Sequence, residues 1–342
     1  MESHISDDIN NLNSKKSRIF VLALGGTVSS VAKKPEEEFY GRPFSNINEL
    51  VGSLPINKEK VTVFSEQFLQ KISHEMTYDD LISVAKKIEE LANTDEIDGI
   101  VVTQGTNCIE ETAYFINLVV KTKKCIVFTG SYRPINALGF DGSRNLYNAI
   151  LIASSAAASA LGVVLTFNDC IVGARDALKF NPSIPGDFTA NGVGVLGYVQ
   201  GNNVLIHKMP LYKHTYNSEF SLKDLDVEPK IFIILGHLGM DSTFVEAAVE
   251  KKAKGIISAG MGKGYLPKKV TEALIEAIQK GVMVVRCSRS GQGIVNNDPD
   301  LEARHGFIAG GSLSPQKARI LLLVALSKTQ NHMTIQRFFD EY

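Results

Sequence analysis

Short apolar runs that end in glycine alternate along this chain with helical patterns, and this alternation constrains the fold more than any other feature. Residues 18–24 form such a run before Gly25-Gly26-Thr27, and residues 99–103 form another before Gln104-Gly105-Thr106. Between the two, residues 77–91 carry apolar side chains at helical spacing. Strands that are separated by helices pair in parallel, so the sequence predicts an α/β fold built on parallel sheets.

A polar stretch without any sustained period divides this pattern into two parts. It covers residues 212–229, and strand and helix patterns restart after it. A chain of 342 residues can bury two cores. The sequence therefore predicts a disordered tail over residues 1–17, a larger N-terminal α/β domain over residues 18–211, a linker over residues 212–229 and a smaller C-terminal α/β domain over residues 230–342.

Two local patterns refine this division. Residues 176–200 have Pro, Gly and Asn at short intervals, which predicts a small hairpin in the larger domain. Residues 315–327 form a largely apolar run that begins with Pro, which predicts the final helix of the chain.

Charge and hydropathy exclude several classes of partner. Lys and Arg number 36 against 37 Asp and Glu, so the formal net charge of -1 attracts neither nucleic acid nor an anionic membrane. The most apolar run, residues 320–326, is too short to span a bilayer. Residues 1–17 are polar and lack the apolar stretch of a secretory signal, so we expect a cytoplasmic protein.

The four cysteines show no pattern of a functional site. Cys108, Cys125, Cys170 and Cys287 have neither CxxC nor Cys/His spacing. The sequence therefore predicts buried free thiols and no metal site.

Three strand patterns end in a hydroxyl residue beside glycine: Gly25-Gly26-Thr27, Gln104-Gly105-Thr106-Asn107 and Thr129-Gly130-Ser131. Ligands of open parallel sheets bind at the carboxyl ends of the strands. Glycine there lets the backbone approach a ligand and offers N–H groups to a developing oxyanion. A hydroxyl beside such a turn is a candidate nucleophile if a base lies near, although each motif alone also fits a helix cap.

Other catalytic and nucleotide-binding motifs are missing. The turn at Gly25-Gly26-Thr27 fits neither GxGxxG nor GxxxxGK[ST], which argues against a dinucleotide site or a P-loop. The chain has no GxSxG elbow, and none of its seven histidines lies in a sequence context that indicates a Ser-His-Asp triad.

Longer motifs resemble one known family. Residues 22–27, Leu-Ala-Leu-Gly-Gly-Thr, resemble the first active-site signature of bacterial L-asparaginases, and residues 102–113, Val-Thr-Gln-Gly-Thr-Asn-Cys-Ile-Glu-Glu-Thr-Ala, resemble the second. The likeness continues through Asn145-Leu146-Tyr147-Asn148-Ala149 to Ser314-Pro315-Gln316-Lys317-Ala318-Arg319. It implies two α/β domains with the active site at the strand ends of the larger one.

The resemblance implies a catalytic set of four residues. Thr27 falls on the nucleophilic threonine of the family, and Tyr40 on the tyrosine of the mobile lid loop that activates it. Thr106 matches the second active-site threonine, and Lys179 the lysine that pairs with it. The implied reaction is attack on an amide by a threonine hydroxyl, release of ammonia and hydrolysis of an acyl-enzyme by water.

The resemblance also implies a binding set around these four residues. Ser73 falls on the serine that holds the α-carboxylate of the substrate. His74-Glu75 stand where the family usually has Gln-Asp. The full set comprises Gly26, Ser73, His74, Glu75, Gly105, Asn107 and Ser131. No metal or organic cofactor is implied, and the implied assembly is a homotetramer, a dimer of dimers.

Two positions depart from the family. Asn107 stands where the family has the Asp that binds the α-ammonium of the substrate, so the shape is retained and the charge is lost. Tyr265 stands where the family has an Asn that reaches the site of a neighbouring subunit, and Asp298 and Asp300 are the nearest acidic residues to the partner position. A charge-assisted hydrogen bond is worth roughly 1.5–3 kcal/mol, so binding of an α-amino acid is expected to weaken.

The sequence thus favours hydrolysis of the side-chain amide of L-asparagine, a small-molecule substrate, and leaves three alternatives. The first is an amidohydrolase whose substrate lacks a free α-ammonium, as Asn107 and Tyr265 suggest. The second is a catalytically weak ligand-binding relative. The third is an amidotransferase subunit, although such relatives usually carry an extra N-terminal domain.

Overall fold

The computed structural model describes residues 16–36, 45–186 and 188–342. Within them the strands are β1 Ser17–Gly25, β2 Val61–Lys71, β3 Gly99–Thr103, β4 Ile126–Thr129, β5 Val163–Phe167, β6 Cys170–Gly173, β7 Leu178–Lys179, β8 Phe188–Thr189, β9 Gly197–Gln200, β10 Asn203–Ile206, β11 Ile231–Leu235, β12 Gly255–Gly260, β13 Met283–Ser288 and β14 Ile308–Ala309. The α-helices are α1 Ile47–Ser53, α2 Tyr78–Asn93, α3 Ile109–Val119, α4 Gly142–Ser154, α5 Thr243–Glu250, α6 Lys268–Gln279, α7 Pro315–Leu326 and α8 His332–Glu341.

The larger sheet has the strand order β10-β9-β6-β5-β4-β3-β1-β2. The five strands from β2 to β5 are parallel, as predicted. Beyond β5 the sheet is extended by β6, β9 and β10, which pair antiparallel. Two-residue turns join β5 to β6 and β9 to β10, and such short connections favour antiparallel pairing, while residues 174–196 with β7 and β8 separate β6 from β9. The larger sheet is therefore mixed rather than wholly parallel.

The smaller sheet is all parallel, with the order β11-β12-β13-β14. The α/β class and the division into a larger N-terminal and a smaller C-terminal sheet are thereby confirmed. A short hairpin of β7 and β8 lies within residues 176–200, where one was predicted. The exact domain bounds stay a prediction.

Helices cover both faces of the larger sheet. Side chains of α2 and α3 bury one face, and those of α1 and α4 bury the other. Helix α7 of the C-terminal domain also packs against α3, so one continuous core joins the two domains. The first turn of α7 also contacts the segment before Lys179, where Lys317 donates to the carbonyl of Arg175.

Several elements were not predicted: strands β2, β6, β10 and β14 and helices α1 and α8. Strand β2 is half-buried along most of its length and has charged and amide side chains, so it lacks the apolar run by which the neighbouring strands were recognised. Helix α8 follows α7 after a short polar turn, so α7 is not the final helix of the chain. Of the predicted tail, residues 1–15 lie outside the described residues, and β1 begins at Ser17. No α-helix among the described residues has the length and apolar character needed to cross a membrane.

Candidate active site

The predicted strand-end motifs meet at one edge of the larger sheet. Strands β2, β1, β3 and β4 are consecutive neighbours and run parallel. Their carboxyl ends therefore lie side by side, and each is followed by a predicted site residue: Ser73 after β2, Thr27 after β1, Thr106 after β3 and Ser131 after β4.

The glycine turns after β1 and β3 touch through their backbones. Gly26 has a φ of +86°, and a Cβ there would overlap the backbone nitrogen of Gly105. A Cβ on Gly105 would lie 2.6 Å from the hydroxyl of Ser73. Only glycine fits at these two positions, so the backbone itself brings the loops that carry Thr27, Thr106 and Ser73 together.

Thr27 begins a short 3-10 turn and is 2% exposed. The carbonyl of Gly26 accepts hydrogen bonds from the hydroxyls of Ser29 and Ser30, at 3.2 and 2.9 Å. These contacts fix the turn, while the Thr27 hydroxyl itself has no hydrogen-bond partner in the described parts of the chain. A hydroxyl held in this way is available to a substrate.

Thr106 and Lys179 form a hydrogen-bonded pair beside this turn. The Lys179 Nζ donates to Thr106 Oγ1 at 2.8 Å. The backbone N–H of Lys179 donates to a carboxylate oxygen of Glu110 at 2.8 Å, and Lys179 Nζ lies 4.9 Å from the centre of the Tyr132 ring. The pairing expected from the resemblance is thus present in the geometry, across 73 residues of sequence.

Burial sets the protonation tendency of this lysine. Desolvation lowers the pKa of Lys179 below its ordinary value of 10.5, while the charge of Glu110 opposes that shift. A larger fraction of the amine is therefore neutral near pH 8 than for a surface lysine. A neutral amine that is hydrogen-bonded to a hydroxyl can accept a proton through it.

Ser73, His74 and Asn107 form a second group beside the first. The backbone N–H of Asn107 donates to the buried hydroxyl of Ser73 at 3.2 Å. The Asn107 Nδ2 lies 3.2 Å from His74 Nδ1. Neither Asn107 nor His74 has a carboxylate, so these two side chains supply no negative charge where the family has one.

The remaining predicted residues lie less centrally. Ser131 is fully buried, but its hydroxyl donates to the carbonyl of Arg133 at 2.7 Å, in its own loop. Glu75 is exposed in the 3-10 turn Ser73–Glu75. Tyr40 lies outside the described residues, so its role stays a prediction. In the C-terminal domain, the Tyr265 hydroxyl donates to Asp298 Oδ2 at 2.9 Å. Tyr265, which departs from the family, thus contacts one of the two nearby acidic residues.

Sequence reasoning missed the residues that support the lysine. Glu110 was quoted only as part of a motif, and acidic residues in the first turn of a helix are ordinary, so no local signal marked it. Tyr132, whose ring faces Lys179, follows the predicted Ser131 directly and was open to the same strand-end argument.

The cysteines take no part in this chemistry. All four are free thiols, of which Cys125 and Cys287 are buried and Cys108 and Cys170 are half-buried, so the predicted burial is only partly correct. Cys108 donates to the carbonyl of Ser73 at 2.9 Å, and burial raises its pKa to about 12. Its thiol stays protonated and is a poor nucleophile. Residues 16–36, 45–186 and 188–342 contain no cluster of three or more His, Cys, Asp or Glu side chains that could hold a metal ion.

Comparisons with known proteins agree with this geometry. Residues 18–212 match the family model described as "Asparaginase, N-terminal", and residues 230–339 match the "Glutaminase/Asparaginase C-terminal domain". The chain is 38% identical to L-asparaginase 2 of Bacillus subtilis (strain 168), over 95% of this chain and 86% of that protein. It is 36% identical to the glutaminase-asparaginase of Pseudomonas fluorescens biotype A, over 96% of this chain and 91% of that protein.

A solved structure extends the similarity to three dimensions. The crystal structure of a probable cytoplasmic L-asparaginase from Campylobacter jejuni superimposes with a TM-score of 0.91 at 35% identity, over 96% of this chain and 100% of that one. Both family models and relatives of this identity cover nearly the full chain. The chain therefore belongs to the asparaginase/glutaminase family of amidohydrolases.

Proposed function

We propose that this enzyme hydrolyses the side-chain amide of L-asparagine or of a close analogue, with Thr27 as the nucleophile. The observation that carries the proposal is the Lys179–Thr106 hydrogen bond next to the contact between Gly26 and Gly105. The proposal is supported by three kinds of group at one sheet edge: the Thr27 hydroxyl, which has no hydrogen-bond partner among the described residues, the Thr106–Lys179 hydroxyl–amine pair, and backbone N–H groups of the glycine turns. Acyl transfer requires these three kinds of group.

The proposed reaction has two steps. The Thr27 Oγ1 attacks the amide carbon as its proton passes to the Thr106–Lys179 pair, and the tetrahedral oxyanion is stabilised by backbone N–H groups of the glycine turns. The C–N bond then breaks as the pair passes this proton to the nitrogen, which leaves as ammonia. Water attacks the resulting ester and gives a proton to the same pair, which returns it to the Thr27 oxygen as the ester bond breaks and the acid is released.

A second candidate concerns the substrate rather than the chemistry. Asn107 stands beside Ser73 and His74 in place of the carboxylate that pairs an α-ammonium in the family. This favours an amide whose α-nitrogen is acylated or replaced by a neutral group. Under this candidate Thr27, Thr106 and Lys179 keep their roles. The homotetrameric assembly and the cytoplasmic location stay predictions.

The test is release of ammonia from a panel of L-Asn, D-Asn, L-Gln, N-acetyl-L-Asn and cyclic amides. The Thr27→Ala variant removes the nucleophile, and Thr27→Ser is the matched control because it keeps a hydroxyl at the same position. We expect Thr27→Ala to abolish every activity of the panel and Thr27→Ser to retain part of it.

Each outcome separates the candidates. A kcat/KM for L-Asn above about 10⁶ M⁻¹s⁻¹ makes the enzyme an efficient asparaginase and rules out the shifted substrate. Slow turnover of L-Asn with faster turnover of N-acetyl-L-Asn establishes the second candidate. Silence across the panel, with calorimetric binding of one of these amides, supports a weakly catalytic binding protein instead.

A further inference from the structure

A buried lysine outside the proposed site holds the segment that carries Lys179. Lys317 lies in the first turn of α7 and is 2% exposed. Its ammonium donates to the carbonyl of Arg175 at 2.9 Å and also to the carbonyl of Ala177. These two carbonyls lie four and two residues before Lys179, so the C-terminal domain binds the backbone of this segment directly.

Helix α3 holds the same segment at its other end. Glu110, which is 7% exposed, accepts the backbone N–H of Lys179 at 2.8 Å. The side chain of Lys179 then reaches Thr106 at 2.8 Å. The position of the amine therefore depends on two charged side chains, Lys317 and Glu110, that come from different domains and bind the backbone rather than the substrate.

Burial of the Lys317 ammonium in the first turn of a helix lowers the stability of the fold. A cation in the first turn of a helix is disfavoured by the helix dipole, and a buried ammonium loses its hydration. Burial lowers the pKa of Lys317 to about 8. An apolar side chain of similar length would avoid both costs, but it would leave the carbonyls of Arg175 and Ala177 without this donor.

Charges around Lys317 link it to Lys179. Its ammonium faces the acidic groups of Glu110 and Glu111 on α3 and of Asp176 on the held segment, and it is repelled by Arg175. Glu110 is also the carboxylate that faces the ammonium of Lys179. One carboxylate thus lies near two cations, and removal of one cation leaves less positive charge to oppose protonation of the other.

We propose that Lys317 is a positioning residue which, with Glu110, fixes residues 175–179 so that Lys179 stays hydrogen-bonded to Thr106. Lys317 touches no reacting atom and acts through the backbone and through Glu110. The catalytic consequence rests on the proposed function, in which Lys179 transfers protons. The effect on Lys179 itself does not depend on the identity of the substrate.

The test compares the titration of Lys179 in the wild-type enzyme and in Lys317→Met. Competitive labelling with acetic anhydride between pH 6 and pH 11, read by mass spectrometry, gives the pH midpoint of Lys179. With Glu110 left to interact with Lys179 alone, we expect this midpoint to rise by about one pH unit. We expect kcat on the best amide of the panel to fall about tenfold, with KM changed less than about twofold, because positioning fails while binding persists.

Two further variants keep the test decisive. Lys317→Gln retains a donor for one carbonyl without the charge, so it serves if Lys317→Met does not fold, and its midpoint is expected to rise as well. In Glu110→Gln/Lys317→Met the shared carboxylate is gone, so the midpoint is expected to fall below that of Lys317→Met. Leu322→Val is the matched control on α7, because Leu322 lies against Gly255 in the smaller sheet.

The outcomes distinguish this proposal from the proposed function. A folded Lys317→Met or Lys317→Gln whose Lys179 midpoint and kcat match those of Leu322→Val overturns the positioning role, even if Thr27→Ala abolishes activity. Full activity of Thr27→Ala refutes the proposed function instead. The labelling experiment still decides whether Lys317 affects the titration of Lys179.

Discussion

The candidate site has two halves that the protein holds in different ways. In the reacting half, Thr27 and Thr106 are 2% and 4% exposed, and Lys179 is tied to Glu110 on α3. In the recognition half, His74 and Asn107 are exposed, and their side chains contact mainly each other. The two threonines of the reacting half are buried, whereas His74 and Asn107 of the recognition half lie at the surface beside the buried Ser73.

This difference explains where the chain departs from its family. A substitution at a buried hydrogen-bonded position leaves a partner unsatisfied, which costs about 1–3 kcal/mol of stability. A substitution at an exposed position usually costs within about 0.5 kcal/mol. The recognition half can therefore change from a charged to a neutral group while the fold and the reacting half stay intact.

The largest expected effect is in the reacting half. Thr27→Ala removes the proposed nucleophile from a turn whose other hydrogen bonds, from Ser29 and Ser30 to Gly26, remain. We expect kcat to fall by about 10⁴-fold or more on every substrate, with an unchanged melting temperature. Steady-state kinetics and thermal unfolding check this. A loss confined to one substrate would contradict the division into two halves.

The second-largest effect is expected for the Lys179 amine, which also belongs to the reacting half. Lys179→Met keeps the length of the side chain but removes the proton acceptor, and general acid–base catalysis contributes about 10²–10⁴-fold. We expect kcat to fall by this factor for all substrates. Lys179→Arg, which keeps the charge but does not deprotonate near neutral pH, is expected to be nearly as slow.

The pH profile of the wild-type enzyme is a test of the same assignment. Because burial lowers the pKa of Lys179, the neutral amine accumulates at a lower pH than that of a free lysine. Activity is therefore expected to rise with pH along a limb centred below 10.5 and to lose this limb in Lys179→Met. An identical limb in the variant would assign the titration to another group.

A smaller and substrate-selective effect is expected in the recognition half. Asn107→Asp restores a carboxylate next to Ser73 and His74. A charge-assisted hydrogen bond is worth roughly 1.5–3 kcal/mol, so kcat/KM for L-Asn should rise by about 10- to 100-fold. N-acetyl-L-Asn, which has no ammonium, is expected to gain nothing, and it serves as the internal control. An equal gain for both substrates would refute the assignment of Asn107 to α-amino recognition.

Thr27 and Thr106 could be singled out from local signals of the sequence, whereas Lys179 was named only through the resemblance. Thr27 and Thr106 follow strands that are recognisable as apolar runs, and parallel pairing of β1 with β3 brings their glycine turns together. Strand β2 was missed because it is half-buried and polar, so the position of Ser73 beside Gly105 depended on the resemblance alone.

Contacts between distant elements left no such signal. Glu110 binds the backbone of Lys179 across 69 residues, and Lys317 binds Ala177 across 140. Neither side chain has a spacing or a local motif that indicates its partner, because the partner is a backbone carbonyl or N–H that every residue has. The Asn107–His74 contact likewise joins two loops, so only the folded chain shows that these two side chains are partners.

The smallest expected effect separates the two halves most finely. His74→Gln keeps a polar side chain that can accept from Asn107, and both positions are exposed, so the loss of the present contact is worth only about a two- to fivefold change in kcat/KM. The change should lie in KM and leave kcat intact. Asp79→Asn, at an exposed position of α2 outside the binding set, is the matched control. Steady-state kinetics on L-Asn and N-acetyl-L-Asn decide the matter, since a tenfold fall in kcat would place His74 among the reacting groups and merge the two halves into one.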